Sequence, residues 1–312
     1  MKKFFIIILA VCMVLLNGCA GKDTEEVDQE IAHEPGAKEQ AEEDGTDGDA
    51  PKKEKQKDQQ EELEPEILKF VDVFGEEYEV EIHPEIAENP YDPALFVHEG
   101  YKLSYTDAEY TSRLGVDVSA HQGEIDWVKV KSDGYDFAFI RIGFRGYGDA
   151  GTLNLDKEFQ NNVKNAQAAG LDVGVYFFTQ AVNEQEAKEE ADFVLENLAG
   201  QNLQLPVVYD PEHILDDEAR TDGIPGEQFT KNTKVFCEQI KEGGYEAMIY
   251  SNMLWEAFEL DLQTLSDYPV WYADYEEKPQ TPYHFVFWQY TNEGAADGIS
   301  GNVDLNIQLM HR

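Results

Sequence analysis

Asp172-Val-Gly-Val-Tyr-Phe-Phe-Thr179, Glu184-Gln-Glu-Ala-Lys-Glu-Glu-Ala-Asp-Phe-Val-Leu-Glu-Asn-Leu198 and Pro206-Val-Val-Tyr-Asp-Pro-Glu212 follow one another as a β-prone run, a helical stretch and a second β-prone run. In that order they spell a parallel crossover unit. The same alternation runs outward in both directions from here. The predicted strands are Gly115 to Ala120, Phe137 to Phe144, Asp172 to Thr179, Pro206 to Glu212, Ala247 to Ser251, Pro269 to Tyr275, Phe285 to Thr291 and Val303 to Leu309. Helical stretches fit around Trp127 to Ser132, Lys157 to Ala169, Glu184 to Leu198 and Gly226 to Glu242, with a short one near Asn252 to Leu260. The gaps between the last three strands are short and rich in Pro, Gly and Asn, so no helix is expected there. The pattern predicts an α/β fold with a parallel sheet: a partial TIM-like barrel, (β/α)5(β)3, with a small N-terminal β-containing extension. Function in such a barrel sits at the C-terminal ends of the strands.

Several of these strands carry polar groups where the barrel would open. Asp117 and Ser119 follow Val116, Arg141 follows Ile140, Asp210 and Glu212 follow Val-Val-Tyr, and Asp304 follows Val303. Asp210 and Glu212 stand at i and i+2, a spacing that points both carboxylates to one face of a strand. Neighbouring carboxylates drive their pKa values apart, leaving one protonated near neutrality as a general acid, which is the arrangement glycoside hydrolysis requires. A solvated or helix-capping role is the alternative for any single acid in so acidic a chain. Aromatic residues cluster at the same strand ends, among them Tyr176, Tyr209, Tyr250, Trp271, Tyr275 and Trp288, and such rings stack on sugar faces, although alternation sends about half of them into the core. Gln289 could hydrogen-bond a sugar hydroxyl or sit as a polar rim residue, and His121 divides between a substrate and a turn role. The seven histidines form no zinc spacing, no nucleophile elbow is present, and no cofactor or metal is expected.

Composition narrows the partners. With 24 Lys+Arg against 64 Asp+Glu the chain of 312 residues carries a formal charge of −40, which argues against nucleic acid. At 42% hydrophobic it can bury a sizeable core. Lys2 and Lys3 precede an apolar run from Phe4 to Leu16, too short to span a bilayer, so residues 1–19 read as a signal peptide. Its end, Leu16-Asn17-Gly18-Cys19, resembles a bacterial lipoprotein box with Cys19 as the lipidated residue; Asn17 leaves cleavage by an ordinary signal peptidase as the alternative. Residues 20–64 contain no aromatic residue and carry a local charge of −11, and are expected to be a disordered tether. Residues 65–112 form an accessory segment: a hairpin over residues 67–83, then irregular chain to about Arg113. Residues 113–312 complete the predicted organisation, and of the three cysteines only Cys237 lies there, expected to be a buried apolar residue.

Taken together, Gly115-Val-Asp-Val-Ser-Ala-His-Gln-Gly123, Ile125-Asp-Trp127, Phe137-Ala-Phe-Ile-Arg-Ile-Gly143, Gly174-Val-Tyr-Phe-Phe178, Asp210-Pro-Glu212, Trp271-Tyr-Ala-Asp-Tyr275, Trp288-Gln-Tyr290 and Val303-Asp-Leu-Asn306 resemble the lysozymes of glycoside hydrolase family 25. The resemblance implies an N-acetylmuramidase that cuts the β-1,4 bond between N-acetylmuramic acid and N-acetylglucosamine, without a metal. It implies that Glu212 is the proton donor and that Asp117, Asp210 and Asp304 are the other acids. Tyr176, Trp271 and Gln289 match substrate contacts, joined here by Arg141 and Tyr209. Attack by an Asp and attack by the substrate's own acetamido group both stay open. Pro211, Ala120 and Phe177 depart from the family's common residues. The expected partner is peptidoglycan, with a membrane reached through the Cys19 anchor on the surface of a Gram-positive cell, and the expected state is a monomer. A non-catalytic glycan-binding lipoprotein on the same barrel is the competing reading.

Overall fold

The computed structural model describes residues 65–215 and 217–312; the signal peptide and lipidation expected over residues 1–19 and the acidic segment of residues 20–64 lie outside them. In chain order the elements are β1 (Ile67–Val71), β2 (Glu77–Glu81), β3 (Phe96–Glu99), β4 (Lys102–Tyr105), β5 (Tyr110–Val118), α1 (Trp127–Ser132), β6 (Tyr135–Arg145), β7 (Leu153–Leu155), α2 (Phe159–Ala168), β8 (Asp172–Thr179), α3 (Glu184–Leu198), β9 (Val207–Pro211), α4 (Gly226–Glu242), β10 (Ala247–Asn252), β11 (Val270–Ala273), β12 (Phe287–Gly294) and β13 (Val303–His311). A π-helical turn, Trp255–Glu259, stands where the fifth helix was expected.

The fold is mixed α/β around a closed eight-stranded barrel. Strands β5, β6, β8, β9, β10, β11 and β12 pair in parallel in that order. Strand β13 closes the ring antiparallel to both β12 and β5. The sequence pattern predicted a parallel sheet, and β13 departs from it because the link from β12 is a hairpin loop, too short for the crossover that a parallel strand needs. Strand β7, also unforeseen, extends β6 outside the ring.

Alternation divides the side chains between two cores. Phe137, Phe139, Val208, Met248, Trp271 and Phe287 fill the barrel interior, with Phe139 stacked on Trp271 at 4.6 Å. Gly115 and Gly174 make room for them, since a Cβ at either position would run into the ring of Phe137 or Phe139. Their neighbours Val173, Val175, Phe177, Val207 and Tyr209 face outward against the buried stripes of the helices, Val163, Val194, Phe236, Cys237 and Ile240 among them. Helix α3 begins where Asn183 accepts the Glu186 N–H at 3.0 Å and ends at Ala199 in the left-handed region.

No helix follows β11 or β12, and the accessory segment covers that wall instead. Residues 84–109, expected to be irregular, contain the β3–β4 hairpin. Tyr91 packs on Phe285 and Tyr110 at 5.1 Å each and donates its hydroxyl to the Phe285 carbonyl at 2.8 Å. Phe96 meets Trp288 edge-on at 5.1 Å, and Tyr290 donates to the Tyr101 carbonyl at 2.9 Å. Apolar strands without helices must bury their outer face somewhere, and the extension supplies the cover.

Candidate active site

Four carboxyl groups meet at one end of the barrel. Asp117 lies near the end of β5, directly opposite Asp304 across the antiparallel β13–β5 pair. Asp304 therefore sits near the start of its strand, yet opens to the same mouth as the C-terminal ends of the parallel strands. Asp210 stands in β9, and Glu212 is the first residue beyond it. Like charges directly opposite on paired strands repel, so such a cluster holds protons that isolated acids would lose.

Asp117 is the member best equipped to stay ionised. Its Oδ2 accepts from Asn306 Nδ2 at 2.8 Å and Gln289 Nε2 at 2.9 Å. Burial pushes its pKa up, while these two amides and a hydrogen bond with Asp304 pull it back. Asp304 is held well above the usual carboxylate range by burial, then by the charge of Asp117 and the hydrogen bond to it, so Asp304 carries the proton between them. Burial, the charges of Glu212 and Asp117, and the hydrogen bond with Glu212 also lift Asp210 well above its ordinary value. Its Oδ1 is buried without a hydrogen-bond partner. Glu212, half-buried, is pushed up to about 7 by burial and by the charge of Asp117, against the opposing hydrogen bond from Asp210.

A second layer fixes the amides. Tyr250 and Tyr275 both donate to Gln289 Oε1 at 2.9 Å, and Trp271 Nε1 donates to Asn306 Oδ1 at 2.8 Å, so each amide must turn its NH2 toward Asp117. Replacing Asn306 by Ala removes one donor from Asp117 and strands the buried Trp271 N–H. The expected cost is about 1–3 kcal/mol in urea denaturation, with the acid limb of any activity profile moved toward neutral pH because Asp117 loses an anion-stabilising contact. On the other side Gln180, itself buried, donates from Nε2 to the Glu212 carbonyl at 2.9 Å and accepts from Thr221 at 2.8 Å.

The candidate residues do not all gather here. Tyr176, half-buried, lies among Arg141, Asp117, Asp210 and Asp304. Arg141 faces the same acids while its Nε and an Nη hold Asp156 Oδ2 at 2.9 Å. Tyr209 is a correction: it is 2% exposed, points outward onto Phe236 and hydrogen-bonds Thr179, away from the mouth. Trp271 is another: it points inward but is 1% exposed beneath the acids, so it supports Asn306 rather than offering a sugar platform. Gln289, likewise buried, spends its amide on Asp117. Ser119 caps the turn that carries exposed His121. Asn306 and Gln180 were not among the proposed site residues, and Tyr250 and Tyr275, named as rings for stacking on sugars, instead donate their hydroxyls to Gln289. Asn306 was within reach, because it shares a strand face with Asp304 at i and i+2; Gln180 left no sequence signal. Among the described residues no group of three or more His, Cys, Asp or Glu is arranged to hold a metal.

Residues 116–299 match the sequence model of Glycosyl hydrolases family 25. Lysozyme M1 of Streptomyces globisporus is 32% identical over 209 residues, 64% of this chain and 68% of that protein. An autolytic lysozyme of Clostridium acetobutylicum is 26% identical over 62% of this chain, which spans only 54% of that relative's length. Among solved structures, a family 25 glycosyl hydrolase from Bacillus anthracis superposes with a TM-score of 0.54 at 26% identity, covering 68% of this chain and 94% of that one.

Proposed function

The chain belongs to glycosyl hydrolase family 25, and from this we propose that it is a peptidoglycan hydrolase, an N-acetylmuramidase cleaving the β-1,4 bond between N-acetylmuramic acid and N-acetylglucosamine. The observation that carries this reading is the meeting of two differently held carboxyls at one mouth: Asp117, whose Oδ2 accepts from Asn306 at 2.8 Å and Gln289 at 2.9 Å, and Glu212 at the end of β9, pushed up to about 7 by burial. Glu212 in its acid form protonates the glycosidic oxygen as the bond to the sugar breaks. The anion of Asp117 stabilises the positive charge that develops on the ring, and Asp210 and Asp304, kept neutral, add no competing charge. Tyr176 and Arg141 line the pocket for the sugar.

The finer architecture reads as (β/α)5(β)3, with Trp255–Glu259 in place of the fifth helix. Residues 113–312 form the catalytic domain, completed by the wall that residues 65–112 cover. Residues 1–19 act as a lipoprotein signal, and acylated Cys19 with the acidic tether of residues 20–64 carries the enzyme on the outer face of the membrane.

Release of reducing ends from purified peptidoglycan tests the reading, and its pH dependence tests the roles. The rate is expected to fall above about pH 7 as Glu212 loses its proton, and to fall on the acid side when Asp117, itself raised from 3.8, is protonated. A rate that keeps climbing well above pH 8 would remove Glu212 as the acid.

A further inference from the structure

The β1–β2 hairpin packs on the barrel with its turn toward the mouth. Val71, at the end of β1, donates to Gln280 Oε1 and accepts from Gln280 Nε2, both at 2.9 Å. Gln280 in turn donates its N–H to Asp274 Oδ2 at 2.9 Å. Asp274 directly follows β11 and precedes Tyr275, whose hydroxyl reaches Gln289 in the site. A second contact fixes the same end: Tyr78 of β2 meets Phe258 at 5.9 Å, on the π-helical turn that leaves β10 at the mouth.

The turn is rigid for reasons of its own. Asp72 Oδ1 accepts from the N–H groups of Phe74 at 2.8 Å and Glu76 at 2.9 Å, Tyr78 donates to Asp72 Oδ2 at 3.2 Å, and Gly75 takes φ +78°. None of this bracing asks for an apolar side chain at 73 or 74. Yet Val73 and Phe74 are 60% and 62% exposed, and Phe258, one ring away across Tyr78, is 54% exposed. Three apolar side chains therefore stand in water on a preorganised ledge beside the β10–β11 sector of the mouth, flanked by Asp72, Glu76 and Glu77.

We propose that this ledge binds the glycan strand of peptidoglycan, seating N-acetylhexosamine rings beyond those at the scission point; the inference rests on the muramidase reading of the mouth. A pyranose ring offers an apolar C–H face to Phe74 and Phe258, while its hydroxyls and acetamido N–H donate to the flanking carboxylates. The same carboxylates repel phosphate-bearing wall polymers and anionic lipid surfaces. Continuity with the mouth supplies the geometry: a strand leaving over β10 and β11 runs onto the ledge. The fixed turn keeps the ordering cost of binding low.

The test compares the full chain with its Val73→Ser/Phe74→Ser variant on long glycan strands and on a soluble tetrasaccharide of two disaccharide repeats. On strands KM is expected to rise about fivefold or more, with kcat, tetrasaccharide kinetics and melting temperature unchanged. Unchanged strand kinetics, or an equal loss on both substrates, overturns the proposal. Sedimentation with insoluble peptidoglycan, in the Glu212→Gln background with and without the hairpin change, separates this inference from the muramidase reading. Weaker capture of the hairpin variant supports the ledge even if the parent releases no product, and equal capture overturns it even if the parent is an active muramidase.

Discussion

Glu212→Gln is expected to slow peptidoglycan turnover by about 10²–10⁴-fold while leaving the barrel intact. The amide keeps the shape of the side chain and its hydrogen bonding with Asp210, but has no proton to give to the leaving oxygen. The substitution should also stabilise the fold at alkaline pH. The Glu212 pKa is raised from 4.5 to about 7, so its contribution to stability is fully present below about 4.5 and is lost as the pH rises through about 7. At pH 8 the parent bears the cost of that buried charge and the variant does not. The gain is on the order of 3 kcal/mol, read as a higher melting temperature at pH 8 and little change at pH 4. Lost activity with gained stability is the signature of a group held for chemistry against the preference of the fold. Unchanged turnover would remove the general-acid assignment.

Deleting residues 65–108, which leaves β5 whole, is expected to prevent the barrel from folding. Tyr91, Phe96, Leu103 and Tyr105 are buried by the contact, and each buried ring or leucine contributes about 1.5–3 kcal/mol. The deletion would also bare Phe285 and Trp288, both fully buried in the intact chain. Near-ultraviolet circular dichroism and thermal melting check this; a soluble variant with a native melting transition would show that the extension is dispensable to the fold. If the deletion prevents folding as expected, the matched family region, residues 116–299, is not by itself the unit that folds in this chain.

Much of this architecture was legible because strand and helix periods differ and alternate regularly from Leu114 onward. Helices α1, α3 and α4 lie where the sequence pattern put them, and all eight barrel strands are present. The direction of β13 was missed because alternation of hydrophobic residues carries no sign; only the shortness of the preceding loop did. The β3–β4 hairpin was hidden by Pro84, Pro90 and Pro93, which read as breakers although they precede it. Within the site, alternation would have corrected Tyr209: with Asp210 turned to the mouth, its neighbour must face the helices. Trp271 is a matter of depth along the barrel, and neither period nor residue type encodes depth. The amide layer of Asn306 and Gln289 depends on register between β12 and β13, where the two residues pair directly, and register is a property of the closed sheet.

The most direct measurement is mass spectrometry of borohydride-reduced products after the full chain digests purified peptidoglycan. Fragments ending in reduced muramic acid are the predicted result. Fragments ending in reduced glucosamine would contradict the assigned bond, and the absence of any fragment would contradict catalysis and favour a glycan-binding protein on the same barrel.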